Sequence, residues 1–511
     1  MAWEKERAEL ARRSALAEKM GGAEKLARQA SRGKLDARTR LSRFLDPESF
    51  REIGKIAGAA HYNEAGELDT LTPSNFIFGR GLINRAPVVA SADDFTVRGG
   101  AADAAIHRKF VLAEQMAHEL KLPIVRMVDG TGGGGSVKSL ETMGRTYVPF
   151  VPGWEHVVKN LESVPVVALA LGPTAGLGAA RVAASHYSVM VKGLSQIFTA
   201  GPKVVAAIGD DASNPDVMEN EKLGGVDVHG RNGVVDDVAE SEDEAFQKAR
   251  MFLSFMPPFA GAKSDRTAKG DPTDRCEGAL RDCVPEDPGQ AYNMRRILEL
   301  VCDRDSVFEM GAKWGRAAIT AFARLDGYAV AVLASDPTFL GGSWTADTAE
   351  KVERFVALAD RFQLPVVHFV DNPGFMIGLE AEQNATIRRG VSAMNAVYRS
   401  SSPWATMIIR KAYGVAGAAM SNHSRFQFRA AWPSGDWGSL PMAGGVEVAY
   451  KSELEKSKNP AETLAQIKTR LAQLTSPFRT AEEFLVEDII DPAATRPFLC
   501  EFASIAQRAQ A

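Results

Sequence analysis

The chain contains a version of itself. Residues 94–129 read DFTVRGGAADAAIHRKFVLAEQMAHELKLPIVRMVD, and residues 336–371 read DPTFLGGSWTADTAEKVERFVALADRFQLPVVHFVD. The match runs without a gap at a constant spacing of 242 positions (94 to 336). It pairs Asp94 with Asp336, Thr96 with Thr338, Gly99-Gly100 with Gly341-Gly342, Lys109 with Lys351, Leu122-Pro123 with Leu364-Pro365, and Asp129 with Asp371. Solenoid repeats are far shorter than this, because each of their units is one supersecondary element. The long period marks two copies of one domain, with the chemistry expected where two similar halves meet.

Both copies read as the same series of elements. A β-rich run (Ala86–Ala90; Tyr328–Ala334) leads to a Gly-Gly turn. A helix with apolar residues at 3.6-residue spacing follows (Phe110, Ala113, Met116, Ala117, Leu120; Val352, Phe355, Leu358, Ala359, Phe362). Next comes a short apolar strand (Pro123–Val128; Pro365–Val370) ending at Asp129 or Asp371. Apolar strands alternating with amphipathic helices predict an α/β fold with buried strands. Each copy then has a second unit, in which a buried strand (Val166–Leu171; Ala405–Arg410) runs into small residues that open a helix. AGLGAA (175–180) and GVAGAA (414–419) are near copies. The Gly-, Pro- and Asp-rich stretch between the copies has linker composition. The expected domains are therefore 1–262, with a charged helical arm over residues 1–45, and 285–511, joined by a linker at 263–284. The tail is read as a charged helix over 452–474, a turn at Ser476-Pro477-Phe478, and a final amphipathic stretch.

Composition narrows the classes of function. The 511 residues are 45% hydrophobic and 24% charged, with a net charge of -4, which gives no footprint for nucleic acid or an anionic membrane. No apolar run approaches the ~18 residues needed to cross a bilayer. The charged start (Glu4, Lys5, Glu6, Arg7, Glu9) is read as neither a signal peptide nor a transit peptide, so the expected compartment is the cytoplasm. Four cysteines without a CxxC pair argue for reduced thiols, and no metal-ligand spacing, nucleophile elbow or Ser/His/Asp arrangement stands out.

The two Gly/Ala segments carry the strongest chemical signal. A strand that feeds a helix through small residues leaves backbone amides free in the first turn, where a ligand oxygen can approach them. That arrangement can form an oxyanion hole, in which one donor is worth about 3 kcal/mol of barrier. Either segment alone could serve only close helix–sheet packing; finding both at matching places favours function. GTGGGGSV (130–137) can form a nest of amide donors or a plain connector, and it lacks the Gly-Lys-Ser/Thr of a P-loop. Asp129 and Asp371 are candidate bases, although strand-end carboxylates commonly cap the next turn. His368, inside an apolar strand, reads as a satisfied core residue.

RGKLDARTRLSRFLDPESF (32–50), DDFTVRGG (93–100), GPTAG (172–176), VMVKGLSQIFTAGPKVV (189–205), AYNMRRIL (291–298), FVDNPGFMIG (369–378), RKAYG (410–414) and SPFRTAEEFLVEDIIDP (476–492) give the chain a family likeness. It resembles the carboxyltransferase (β) subunit of biotin-dependent acyl-CoA carboxylases of the propionyl-CoA carboxylase type. The resemblance implies two tandem crotonase-like (ββα superhelix) domains, one holding acyl-CoA and one receiving carboxybiotin, in a hexamer built as a trimer of dimers. It further implies that backbone amides do the catalysis while biotin takes the α-proton. Carried over by position, Gly176 and Leu177 would stabilise the thioester enolate, and Val415 and Ala416 the biotin ureido oxygen. Ala418, at a position linked to acyl preference, and Gly132, Gly133 and Gly134 in the Gly-rich loop would contact substrate. Leu177 and Val415 stand where the family usually has glycine, GGGGSV replaces GGARIQEG, and Ala418 replaces an acidic residue. These departures point away from propionyl-CoA, toward a bulkier acyl group.

The chain has no Met-Lys-Met biotinylation site and no ATP-grasp-like region. The resemblance therefore implies a partner α subunit with biotin carboxylase and biotin carrier domains, which uses ATP and bicarbonate, so that the complex is a ligase. Three rivals remain open: a decarboxylase or transcarboxylase subunit, a biotin-independent hydratase or isomerase, which would need a carboxylate beside the amide turn, and an inactive structural paralogue.

Overall fold

Two hairpins with the same turn chemistry start the two halves. Phe76–Ile83 pairs with Ala86–Asp93 across Asn84-Arg85, and Ala318–Leu325 pairs with Tyr328–Ser335 across Asp326-Gly327. All four loop residues have positive φ (51°, 68°, 52° and 77°). This is the type I′ turn, whose twist matches that of the flanking strands. In this computed structural model the described residues are 2–509, apart from 102, 103, 105, 131–140, 142, 143, 147, 149, 209–213, 268, 269 and 473. The chain divides into two units, Met1–Ala262 and Lys263–Ala511.

Among the described residues, the first unit carries a seven-stranded sheet in chain order: Arg51–Glu52, Phe76–Ile83, Ala86–Asp93, Ile124–Val128, Val166–Ala170, Tyr187–Val191 and Asp237–Ala239. The pairings are antiparallel up to Ala86–Asp93 and parallel beyond it. The second unit repeats the plan with Phe308–Met310, Ala318–Leu325, Tyr328–Ser335, Val366–Asn372, Trp404–Tyr413 and Phe428–Ala431, again parallel after the hairpin. A short parallel pair follows in each unit: Pro173–Ala175 with Gln196–Phe198 as a separate sheet, and residues 411–413, the end of Trp404–Tyr413, with Asp436–Gly438 as a branch of the main sheet. The fold is α/β with mixed sheets, as the alternation of strand and helix predicts.

The helices between parallel strands, His107–Glu119 and Ala346–Arg361, bury their periodic apolar faces, including Ala113 and Ala117 in one and Val352, Phe355 and Ala359 in the other. Thr345 caps the second helix by accepting from the Thr348 amide, relieving one unpaired first-turn donor. The repeated Gly-Gly has a steric cause. A Cβ on Gly100 would lie 2.5 Å from the Asp129 carbonyl oxygen, and one on Gly342 2.5 Å from that of Asp371. The turn packs backbone against backbone at the end of the neighbouring strand, where a side chain has no room.

Two readings need correction. The N-terminal region is not uniformly a surface arm. Helices Glu4–Glu18 and Ala23–Ala30 are largely exposed, but Ala37–Phe44 buries Ala37, Arg40, Leu41 and Phe44. Arginines in that helix hid its inward face from a hydropathy reading. The charged helix over 452–474 is two helices, Lys451–Lys456 and Pro460–Ala472, because Pro460 has no amide to continue the first. The segment 263–284 packs within the second unit, with Leu280 in its core and Arg275 donating to the carbonyls of Leu300 and Cys302.

Candidate active site

Each unit anchors its second strand-to-helix connection with a buried aspartate. Asp129 is fully buried and accepts from Lys34 Nζ and from Arg40 Nη1, each at 2.7 Å. Arg40 also donates to Glu242 (2.6 Å) and to the Leu171 carbonyl (2.9 Å). Burial pulls the Lys34 ammonium below its usual range against the opposing pull of Asp129. Asp371, equally buried, accepts from Arg410 Nε (3.1 Å), the Tyr292 hydroxyl (2.8 Å) and the Lys411 amide (3.0 Å). Burial, and then Asp371 itself, push the Tyr292 hydroxyl well above its ordinary pKa, so it stays a donor to the carboxylate. Asp129 is ion-paired with Lys34 and Arg40, and Asp371 with Arg410, so that both aspartates tie distant segments to the connections. The sequence reading missed their partners Lys34, Arg40, Glu242 and Tyr292, which lie far from them along the chain.

The connections end in amide turns. Strand Val166–Ala170 leads through Gly172 to Gly176, which adopts φ 55° and ψ −120°, and helix Leu177–Ala183 begins at the next residue. That backbone conformation belongs to glycine, and a Cβ at 176 would meet nothing within 4 Å, so conformation rather than space selects it. In the second unit Gly414, at φ 61°, begins helix Gly414–Ala418 directly after strand Trp404–Tyr413. The strand register equates Ala170 with Ile408, through Val128↔Ala170 and Val370↔Ile408. Six residues later in each unit stand Gly176 and Gly414, so Leu177 corresponds to Val415. The near-copies AGLGAA and GVAGAA are one residue out of step with this register.

The four residues singled out for backbone donation differ in what their amides do. Gly176 N–H already donates to the Phe198 carbonyl at 3.2 Å. Leu177, Val415 and Ala416 lie in first helical turns, where no carbonyl within the helix faces their amides. Val415 is 47% exposed, and Ala418 is exposed one turn further on. Gly132, Gly133 and Gly134 lie outside the described residues. His368 is the core residue expected of it: its Nδ1 pairs with the Met420 carbonyl at 2.9 Å, and burial pushes the imidazole down to about 4.

An open cleft of about 630 Å³ in the second unit is lined by Leu340, Met376, Ile377, Leu379, Asp347 and Arg389 among others. Its loop is folded back by hydrogen bonds from Trp344 N to the Gly374 carbonyl and from Met376 N to the Trp344 carbonyl. Gly374 lies against the Tyr413 carbonyl, one residue before the amide turn. Ile377 is 84% and Leu379 76% exposed, apolar surface of the sort that marks binding sites.

Comparison with known proteins decides the family. A profile of the carboxyl transferase domain matches residues 28–511. The chain belongs to that family. It is 30% identical over 500 residues to the propionyl-CoA carboxylase beta chain of Roseobacter denitrificans, covering 96% of this chain and 95% of that one. It is 29% identical over 503 residues to the methylmalonyl-CoA decarboxylase subunit alpha of Veillonella parvula, with 97% and 95% covered. Among solved structures, a transcarboxylase 12S hexamer with methylmalonyl-coenzyme A bound superposes with a TM-score of 0.87 at 27% identity, covering 99% of this chain and 96% of that one. Membership makes the chain an acyl-CoA carboxyltransferase. Among the described residues no helix is long and apolar enough to cross a membrane.

Proposed function

We propose that the chain moves a carboxyl group from carboxybiotin to the α-carbon, or a vinylogous carbon, of an acyl-CoA, as the carboxyltransferase subunit of a biotin-dependent ligase complex. One observation carries the reading. Each unit has a strand–glycine–helix turn with an unengaged amide in its first helical turn, while its strand-end aspartate is buried and ion-paired. A hydratase or isomerase would need that carboxylate as a base, and here it is locked away. Carboxyl transfer needs two oxyanions stabilised and no side-chain base.

In this reading the first-unit turn at Gly176 and Leu177 holds the thioester oxygen as the enolate forms. Leu177 is the better donor, since Gly176 N–H is engaged with Phe198. The second-unit turn at Val415 and Ala416 holds the ureido oxygen, and the cleft by Leu340, Ile377 and Leu379, which Asp347, Glu380 and Arg389 also line, offers apolar surface to the bicyclic group. Biotin, when bound, supplies the carboxyl group and accepts the α-proton. Ala418, exposed beside Val415, and Gly132, Gly133 and Gly134 complete the proposed substrate contacts. A separate α subunit would charge biotin with ATP and bicarbonate in the cytoplasm. Decarboxylase and transcarboxylase relatives keep the reverse direction as a second reading.

The test is a fixation assay with the purified chain, its biotinylated partner, ATP, labelled bicarbonate and a panel of short, branched, long and aromatic acyl-CoAs. Label in one acyl-CoA, dependent on ATP and abolished by avidin, is the expected result and names the substrate. ATP-independent loss of a carboxyl group from a carboxyacyl-CoA would establish the reverse reaction instead. No transfer in either direction from an assembled complex would make the chain a structural paralogue.

A further inference from the structure

A buried arginine closes the far end of the helix that opens at the first amide turn. Arg126, fully buried in the middle of strand Ile124–Val128, donates from Nη1 to the carbonyls of Arg181 (3.2 Å) and Ala184 (2.6 Å). These lie in the last turn of helix Leu177–Ala183 and just beyond it, where carbonyls have no partner within the helix. The rest of the guanidinium forms a bidentate pair with Glu114 on helix His107–Glu119, each bond 2.8 Å. Asn160, also fully buried, steadies Glu114 by donating to its carboxylate (2.8 Å) and to its backbone carbonyl (3.0 Å). Four separate segments thus meet at one charge, and nothing above uses it.

The second unit fills the same position with different chemistry. At the 242-residue spacing Arg126 matches His368, and Glu114 matches Val356. His368 Nδ1 pairs with the Met420 carbonyl at 2.9 Å, and that carbonyl also accepts from Trp404 Nε1 at 2.9 Å. Met420 lies two residues beyond helix Gly414–Ala418. The register that equates Ala170 with Ile408 sets Met420 against Val182, between the two carbonyls that Arg126 reaches. Each copy therefore brings a buried donor, from the same place on the same strand, to the carbonyl end of its amide-turn helix. One donor is a guanidinium balanced by a carboxylate. The other is an imidazole that burial keeps neutral, with a valine where the carboxylate would stand. Stability alone calls for neither, because hydrocarbon of similar volume commonly replaces a buried ion pair at no loss. What the two solutions share is the hold on the helix end.

We propose that Arg126 is a positioning residue for carboxyl transfer, as His368 is in the second copy: each fixes the far end of a short helix and thereby aims the amide turn at its near end. The inference rests on the carboxyl-transfer reading above. Arg126 touches no reacting atom; it acts through helix Leu177–Ala183, which carries the open Leu177 amide. A short helix moves as one body, so a shift at its carbonyl end is a shift at its amide end. A misplacement of about 1 Å at a reacting group can cost about a hundredfold in rate.

The experiment measures labelled-bicarbonate fixation into the acyl-CoA panel above, with the full-length chain and its biotinylated partner. Arg126→Met/Glu114→Leu removes donor and counter-charge together, so no charge is left buried alone. Arg126→His/Glu114→Val gives the first unit the residues of the second. The Met/Leu variant should melt close to wild type, while kcat falls about ten- to a hundredfold and KM for the acyl-CoA stays within about twofold. Its amides over 177–184 should exchange with deuterium about tenfold faster or more. The His/Val variant keeps a donor and should recover kcat to within about fivefold of wild type. Wild-type kcat in a folded Met/Leu variant, equal losses in both variants, or a change confined to KM overturns the assignment. Arg126→Lys keeps the charge for Glu114 but not the fork, and it serves as the test where the Met/Leu variant does not fold: a kcat equal to wild type overturns the proposal there. A wild-type complex that transfers no carboxyl group in either direction rejects the reading on which the inference rests, and the inference with it. Transfer that every variant keeps rejects the inference alone.

Discussion

Asp129 illustrates how a residue can look catalytic in the sequence and be structural in the fold. It ends a strand beside a Gly-rich loop, yet Lys34 and Arg40 fill both of its oxygens. Asp129→Asn leaves two buried cations short of a counter-charge and is expected to cost about 3–5 kcal/mol in denaturant unfolding. Turnover of the fraction that remains folded should stay near wild type; a stable variant without turnover would return Asp129 to the chemistry. Leu177 tests the amide reading from the other side. If it supplies only its backbone N–H, Leu177→Gly keeps or raises kcat/KM, whereas a large loss shows that its side chain shapes the acyl pocket. Lys34, Arg40 and Tyr292 were illegible as partners because contacts 79 to 95 residues apart leave no local signal.

At the scale of elements, hydrophobic period and turn chemistry were good guides. The crossover helices and central strands lie where spacing predicts, because their apolar faces have one place to go. The reading failed where packing overrode composition, as in the Arg-rich helix Ala37–Phe44, and where one proline divided an otherwise helical pattern at Pro460. The Gly-Gly turn separates two costs. Gly341 and Gly342 both have positive φ, but only a Cβ at 342 meets backbone, the Asp371 carbonyl oxygen at 2.5 Å. Gly341→Ala should lose ~1 kcal/mol in thermal or chemical unfolding and Gly342→Ala at least ~2 kcal/mol more; equal losses would remove the steric explanation. His368 supplies a pH signature for its strand. Its folded value near 4 lies below the ordinary 6.5, so the unfolded chain takes up the proton first as pH falls. The contribution is complete above pH 6.5 and is lost toward pH 4, by about 3 kcal/mol. His368→Gln should flatten the fall in melting temperature across that window; an unchanged slope assigns acid sensitivity to other groups.

At the scale of the whole molecule, the chain is a duplicated unit whose copies keep their backbone turns. The hexamer of its transcarboxylase neighbour leads to a direct expectation. Light scattering after gel filtration should give a mass of six chains, and a monomer at micromolar concentration would contradict it. Duplication, α/β alternation and the two glycine turns were all determined by the sequence, because periodicity and backbone conformation are local properties that residue identity records. Only the tertiary structure decided that the strand-end aspartates are buried, ion-paired anchors, that Leu177 rather than Gly176 has its amide open, and that the second turn is one residue out of step with its apparent copy. It alone brought Arg126 and His368 to the carbonyls at their helix ends. Charge pairing, strand register and the convergence of distant side chains depend on how separate segments pack, and no window of the sequence contains both partners.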